Sequence, residues 1–399
     1  FIFYFFISQF IIKMKGLTLL TLATIFSGYV AASNVGMTGK LQFSGVGYDS
    51  QWSPIKKITE SKKKCQCDVG DPVWFSGANA PLSEPLAVHV RGPINLSKFA
   101  FYESEHFVVG DNSSENWNRT ACFDNTGKSP ALENVTFLGH VGKDSDCMGK
   151  ALSFIGPDAC TVAQVNTAPG KNVTSGAEFI IFSNTTCPKS KEKAGCGVYR
   201  KGIPAYYGFG GVTKMFLFQF SMPNDGGDSI GNDTYFNQPS IWLSSDSLPR
   251  VTSEYTKDNN CACLYQGCGG YEIFSANGTL MTSSLITLQG LNVNSTSDVA
   301  SVFTNKISDG YFRRPTNATV VGGVVFDSTG NVITFLANCT SFDRELSASS
   351  VNSMLAAIPQ LGDKCEVKAG NQTAPAPKTK KAKKTKSSSM SAASSSASK

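Results

Sequence analysis

The sequence predicts an all-β protein, a sandwich or a barrel. Three observations carry that prediction. Apolar runs are short and alternate with a period of two, glycines and Ser/Thr/Asn clusters break them at regular spacing, and helical periods are missing between them. The 399 residues, with 37 Gly and 27 Phe, suffice for one large β domain or two ordinary ones.

Met14-Lys15 and the apolar run 16–33 have the charged start, apolar core and small-residue end of a secretory signal peptide. Cleavage is expected near Ala32 or Ser33, with residues 1–13 upstream of the start; Lys13 and Lys15 argue against a membrane span. Gly39–Tyr48 reads as a strand with glycine bends. Cys65-Gln-Cys67 reads as a stapled loop, and Leu86–Pro93 and Leu96–Tyr102 as two strands around a turn. Residues 103–176 are polar and turn-rich, and read as a long insertion or weakly structured connector stapled by Cys122, Cys147 and Cys160.

The strongest strand signals follow. Ala177–Phe182 is one, and Cys187 and Cys196 then bracket a Lys-rich loop. Lys214–Met222 places Phe216, Phe218 and Phe220 on one face. Pro239–Leu243, Val320–Phe326 and Asn331–Leu336 complete the set, and Ser349–Leu361 is the one helix-like segment. After Cys365 the composition turns to Ala, Pro, Lys and Ser, too polar to fold, and reads as a disordered stalk. A GPI signal would end in an apolar tail, so a lipid anchor would lie beyond Lys399.

The net charge of +6 is made by the seven lysines of residues 369–399, a stretch with no acid; the rest of the chain sums to −1. A basic face interleaved with aromatics is absent, which excludes a nucleic-acid partner. The Lys run 378–386 is a solvated stalk or weakly attracts acidic wall phosphomannan. N-x-Ser/Thr sequons stand at Asn95, Asn112, Asn118, Asn134, Asn172, Asn184, Asn232, Asn277, Asn294, Asn317, Asn338 and Asn371, the pattern of a secreted glycoprotein. In that compartment the 12 cysteines form disulfides, with Cys65, Cys67, Cys187, Cys196, Cys261, Cys263 and Cys268 as candidates. His89, His106 and His140 form no ligand-like pair, so neither metal nor other cofactor is expected.

The stretch from Cys261 to Ser275 holds the best candidate site. Three cysteines lead into a Gly-Gly step and a short strand carrying one carboxylate, Glu272, which faces the same way as position 270 and away from Tyr271 and Ile273. A carboxylate on a packed strand needs a partner, because an unpaired buried charge is costly.

Ordered blocks then carry a specific resemblance. Pro81–Tyr102, Glu178–Ser183, Gly208–Gly211, Phe216–Pro223, Pro239–Leu243, Cys261–Cys263, Gly267–Gly269 and Tyr311–Pro315 resemble those of a fungal cell-wall family, the probable circularly permuted 1,3-β-glucanases, over roughly residues 35–340. The resemblance implies a concanavalin-like jelly-roll sandwich akin to family 16 glucanases, with a cleft for β-1,3-glucan. It also implies a division into residues 1–32 (signal peptide and upstream residues), an amino-terminal β module at 33–110 that completes the sandwich, a glucanase-like sandwich at 111–345, and a helix and stalk at 346–399. A secreted, monomeric protein of the cell wall or surface is expected.

The family pattern at the site is Glu-x-Asp-x-x-Glu on a bulged strand, supplying nucleophile, helper and acid/base for retaining hydrolysis. Here Gly270 stands at the nucleophile and Ser275 at the acid/base, and only the middle carboxylate persists, as Glu272. A hydroxyl is too weak an acid to replace the second Glu. Spacing does not support Asp225, Asp228 or Asp309 as substitutes. Glu272 therefore either contacts sugar hydroxyls or is held by an Arg or backbone amides in a relict cleft. Trp242 either stacks on sugar or packs the core, and Tyr206, Tyr207 and Phe209 on their Gly-rich loop either line the cleft or pack a turn. Arg313 and Arg314 either pair with Glu272 or are solvated. The substrate-binding candidates are Trp242, Tyr207, Phe209 and Arg313. Two functions stay open: a glucan-acting wall enzyme, and a catalytically inactive glucan-binding wall protein.

Overall fold

A computed structural model describes residues 35–61, 64–145, 149–188, 201–226, 235–247, 267–287, 289, 304–307, 309–338 and 340–367. The expected signal peptide, Cys147, Cys196, Cys261, Cys263, Asp228, the sequons at Asn232, Asn294 and Asn371, and the stalk lie outside the described residues.

Thirteen of the described strands carry the architecture: β1 (Gly39–Ser44), β2 (Leu86–Arg91), β3 (Asn95–Glu103), β4 (Trp117–Asp124), β5 (Val135–Gly139), β6 (Glu178–Ser183), β7 (Lys214–Ser221), β8 (Ser240–Ser245), β9 (Gly270–Asn277), β10 (Leu280–Ile286), β11 (Tyr311–Arg313), β12 (Val320–Phe326) and β13 (Val332–Ala337). They form two sheets. The first runs β11-β10-β9-β8-β2-β6-β5, and the second β4-β3-β7-β12-β13-β1. Short strands extend both edges.

Alternation decides which side chains meet between the sheets. Phe216, Phe218 and Phe220 of β7 are fully buried there, with Phe99 and Phe101 of β3, Val88 and Val90 of β2, and Tyr271 and Ile273 of β9. Filling the interlayer with aromatics gives tilted and edge-on ring contacts, such as Phe101–Phe216 at 5.0 Å and Phe43–Tyr271 at 5.8 Å. Tyr271 brings a hydroxyl into this core, and Thr334 meets it at 2.7 Å.

The two strands read as flanking a turn do not form a hairpin. β2 lies in the first sheet between β8 and β6, and β3 lies in the second between β7 and β4. The chain crosses from sheet to sheet at Gly92-Pro93, and a Cβ on Gly92 would stand 2.2 Å from Thr174 O.

Residues 103–176 are not a weakly structured insertion. They supply β4 and β5, and Trp117, Phe123 and Phe137 are fully buried. Sequons and polar turns between short strands dilute the alternation that would have marked them. Nor are Cys122 and Cys160 staples: both are free thiols, as is Cys365. Cys122 lies 3.4 Å from Glu133 Oε2, and burial pushes its thiol above the ordinary range. Cys67, Cys187 and Cys268 are disulfide-bonded.

The outer faces of the sheets are treated differently. On the second, Tyr102, Trp117, Met215, Leu217, Val325 and Phe335 are covered by helix α1 (Ala348–Ala357) through Val351 and Leu355. Ser347 caps this helix, its side chain accepting from Ser350 N. On the first, Leu138, Ile180 and Phe182 pack under Leu152, Phe154, Ile203 and Tyr206 from connecting segments. That cover stops short of β8 and β9, where the face turns polar.

Candidate functional site

β9 is bulged, and the bulge creates the site. Its pairing with β10 changes register between Glu272 and Ser275, and that with β8 between Ile241 and Trp242. Ile273 and Phe274 are consecutive yet both fully buried in the core. Alternation restarts one residue late, so positions 270, 272 and 275 share the outer face. A regular strand would have turned 275 inward.

From there two rows of cross-strand neighbours cross the sheet. One runs Ser275, Ser240, Arg91, Glu178, and the other Glu272, Trp242, His89, Ile180. On the far side of Glu272 lies Ser284, fully buried with its hydroxyl unpartnered among the described residues. Glu272 itself is half-buried.

The denser chemistry lies beyond Trp242. His89 is 3% exposed; its ring stacks on Trp242 at 5.0 Å and 24°, and its Nδ1 lies 3.2 Å from Glu178 Oε1. Burial would push the Glu178 carboxyl up, but the His89 hydrogen bond and the charges of His89, His140 and Arg91 hold it below the usual range. An ionised carboxylate only accepts, so Nδ1 is the protonated ring nitrogen. Burial lowers the nearby His140. The Arg91 guanidinium sits 4.1 Å from the ring centre of Tyr235 and 5.5 Å from that of Trp242, and its Nε donates to Gln238 O at 3.3 Å. Thus two histidines that are remote in sequence converge on one carboxylate. Among the described residues no group of three or more His, Cys, Asp or Glu is placed to hold a metal ion.

The residues singled out by sequence fall in different places. Trp242 is half-buried on the outer face beside Glu272. Phe209 does not line a cleft; it is 3% exposed and packs against Phe99, Phe101 and Phe216. Tyr207 is half-buried, its carbonyl accepting from Ser183 N and Oγ and its N–H donating to Thr185 O. Arg313 is exposed on β11. Arg314 pairs with carbonyls and not with Glu272, donating to Met222 O, Pro223 O, Gly278 O and Asn237. Asp225 accepts from Ser175 N at 2.8 Å and Asp309 is exposed. The sequons at Asn112, Asn118, Asn134, Asn172, Asn184, Asn277, Asn317 and Asn338 are exposed, whereas Asn95 is half-buried.

Beneath the 206–209 segment lies a second titratable pair. Lys214 is fully buried, donating to Glu84 O and Phe209 O, and burial lowers it to about 7. Asp246 accepts from Gly208 N at 2.8 Å, and burial raises it to about 7. Both fix the segment against the start of β2.

Sequence reasoning missed Glu178, His89, Arg91 and Tyr235. The signal available was His89-x-Arg91, polar groups at period two on a strand, but no local pattern reveals that β6 is its neighbour.

Residues 115–354 match the family described as "Cell wall protein YJL171C/Tos1, C-terminal", and residues 39–104 match its N-terminal counterpart. The chain is 45% identical over 340 residues to a probable circularly permuted 1,3-beta-glucanase, YJL171C, of Saccharomyces cerevisiae, covering 83% of each. It is 42% identical over 321 residues to a probable circularly permuted 1,3-beta-glucanase, PGA52, of Candida albicans, covering 78% of this chain and 80% of that one. No solved structure matches.

Proposed function

Because this chain belongs to the YJL171C/Tos1 family of cell wall proteins, we propose that it is a wall glycoprotein that binds β-1,3-glucan on the outer face of its first sheet without cleaving it by double displacement. One observation carries the reading. Of the three outward positions that the β9 bulge brings together, only 272 bears a carboxyl group, with Gly270 and Ser275 at the others.

Glycoside hydrolysis by a carboxyl pair needs the two groups about 5–9.5 Å apart, whichever stereochemical course it takes. Glu178 shares the face, but its strand is three away from β9, about 14 Å by ordinary strand spacing. Among the described residues, a proton donor and a nucleophile at the same glycosidic bond are therefore missing around Glu272. What the face retains suits holding a sugar: aromatic rings, an arginine and a carboxylate at fixed positions.

The test is to incubate the purified secreted protein with laminarin, measuring bound glucan and new reducing ends. Binding with no new reducing ends supports the reading. Turnover that disappears in Glu272→Gln overturns it.

A further inference from the structure

We propose that the sugar-holding centre of this face lies off β9, where Arg91, Glu178, His89, Trp242 and Tyr235 form a built subsite for a neutral saccharide. The proposal rests on the glucan-binding reading above and locates the contact within that face.

The cluster is poorly explained as packing. Along β6 the next outward residues are Ile180 and Phe182, buried under an apolar cover. Apolar side chains at 89, 91 and 178 would extend that cover without the cost of partly burying a carboxylate and its partners. Polar groups kept against that cost, with perturbed titration, mark sites used for something else.

The unengaged atoms indicate the ligand. Glu178 uses Oε1 for His89, and among the described residues its Oε2 takes no hydrogen bond, with the side chain 34% exposed. Arg91 uses Nε for Gln238 O, and its Nη groups likewise have no hydrogen-bond partner among the described residues. Arg91 and Glu178 are directly opposite on adjacent strands, so a fixed acceptor and a fixed planar donor stand side by side. Adjacent hydroxyls of a pyranose, each able to donate and accept, match that pairing. The half-buried Trp242 and the exposed Tyr235 border that pair, adding aromatic surface at its rim. An anionic ligand is disfavoured, since among the described residues it would meet the carboxyl groups of Glu178 and Glu272 with one guanidinium, that of Arg91, to offset them.

The subsite is also rigid before the sugar arrives. Tyr235 and Trp242 flank the guanidinium, and His89 fixes the carboxylate, so little side-chain entropy is lost on binding.

The experiment is calorimetric titration of the full secreted protein with laminari-oligosaccharides, alongside Arg91→Lys, Glu178→Gln, Glu272→Gln and Arg344→Ala, each checked by thermal melt. Lysine keeps the charge but loses the planar, stacked fork. Arg91→Lys and Glu178→Gln are each expected to weaken binding about tenfold or more. Arg344→Ala, on the other sheet, should bind as wild type. Should Glu178→Gln fail to fold, Arg91→Lys reads the same subsite from a half-buried position. Wild-type affinity in both site variants, or a loss confined to Glu272→Gln, overturns the proposal while leaving glucan binding intact. Absence of binding by the wild type overturns the glucan-binding reading itself, and the subsite with it.

Discussion

His89 Nδ1 and Glu178 Oε1 meet at 3.2 Å on neighbouring strands, though 89 residues separate them in the chain. The imidazole gives the carboxylate its hydrogen bond, while Trp242 lies against the other side of the pair through the ring stack.

An acid-stability prediction follows from the sign of the Glu178 shift. Its folded-state pKa is held below the ordinary 4.5, so the pair adds stability at pH values above 4.5. That contribution is lost as pH falls through the folded-state value. Between pH 5 and 3 the wild-type melting temperature should fall more steeply than that of Glu178→Gln. Parallel curves would show that the pair contributes no linkage.

Asp246 behaves in the opposite sense. Its folded pKa of about 7 exceeds the ordinary 3.8, so its stabilisation is complete below pH 3.8 and is lost as pH rises to about 7. Lys214, lowered from 10.5 to about 7, gives stability that grows with pH across 7 to 10.5. Asp246→Asn keeps an oxygen for Gly208 N and removes the first limb. The melting temperature of the variant relative to wild type should rise steadily from pH 4 to 7, measured at constant ionic strength.

The adjacent arginines should separate cleanly. Arg314→Leu leaves Met222 O, Pro223 O and Gly278 O without their donor and should cost about 3 kcal/mol or more. Arg313→Ala, at an exposed position, should stay within about 0.5 kcal/mol. Urea melts of the two variants decide it.

The β9 bulge makes restoration of chemistry testable. Gly270→Glu with Ser275→Glu places carboxyl groups on both sides of Glu272 on one face. A Cβ at 270 would lie 3.2 Å from Leu243 O, a contact that a small backbone shift absorbs. Reducing ends should appear from laminarin with the double variant and not with either single one. A folded, glucan-binding double variant with no turnover would show that the register does not bring the two groups to one bond.

Much of this was legible locally. Phe216, Phe218 and Phe220 declared their strand and its inward face, and Gly270 and Ser275 declared the missing acids. What could not be read depends on strand adjacency, which is long-range. The meeting of His89 with Glu178 requires β2 beside β6, and the outward aim of position 275 requires a bulge that both neighbours must accommodate. Phe209 misled because flanking glycines resemble a flexible loop, whereas Gly208 is where the chain closes on Leu86. Trp117 and Phe123 were hidden by the polar turns around them.

β1 completes the second sheet by lying beside β13, with Gly39 opposite Leu336, and is flanked on its other side by the Pro359–Leu361 turn. A ribosome must therefore finish almost the whole domain before β1 finds its seat. Throughout that interval Asn112, Asn118, Asn134 and the later acceptors remain open to oligosaccharide transfer, and Asn95, half-covered in the finished protein, shares that opening. Closure of the sandwich comes last, so any sugar on these acceptors would be attached before it.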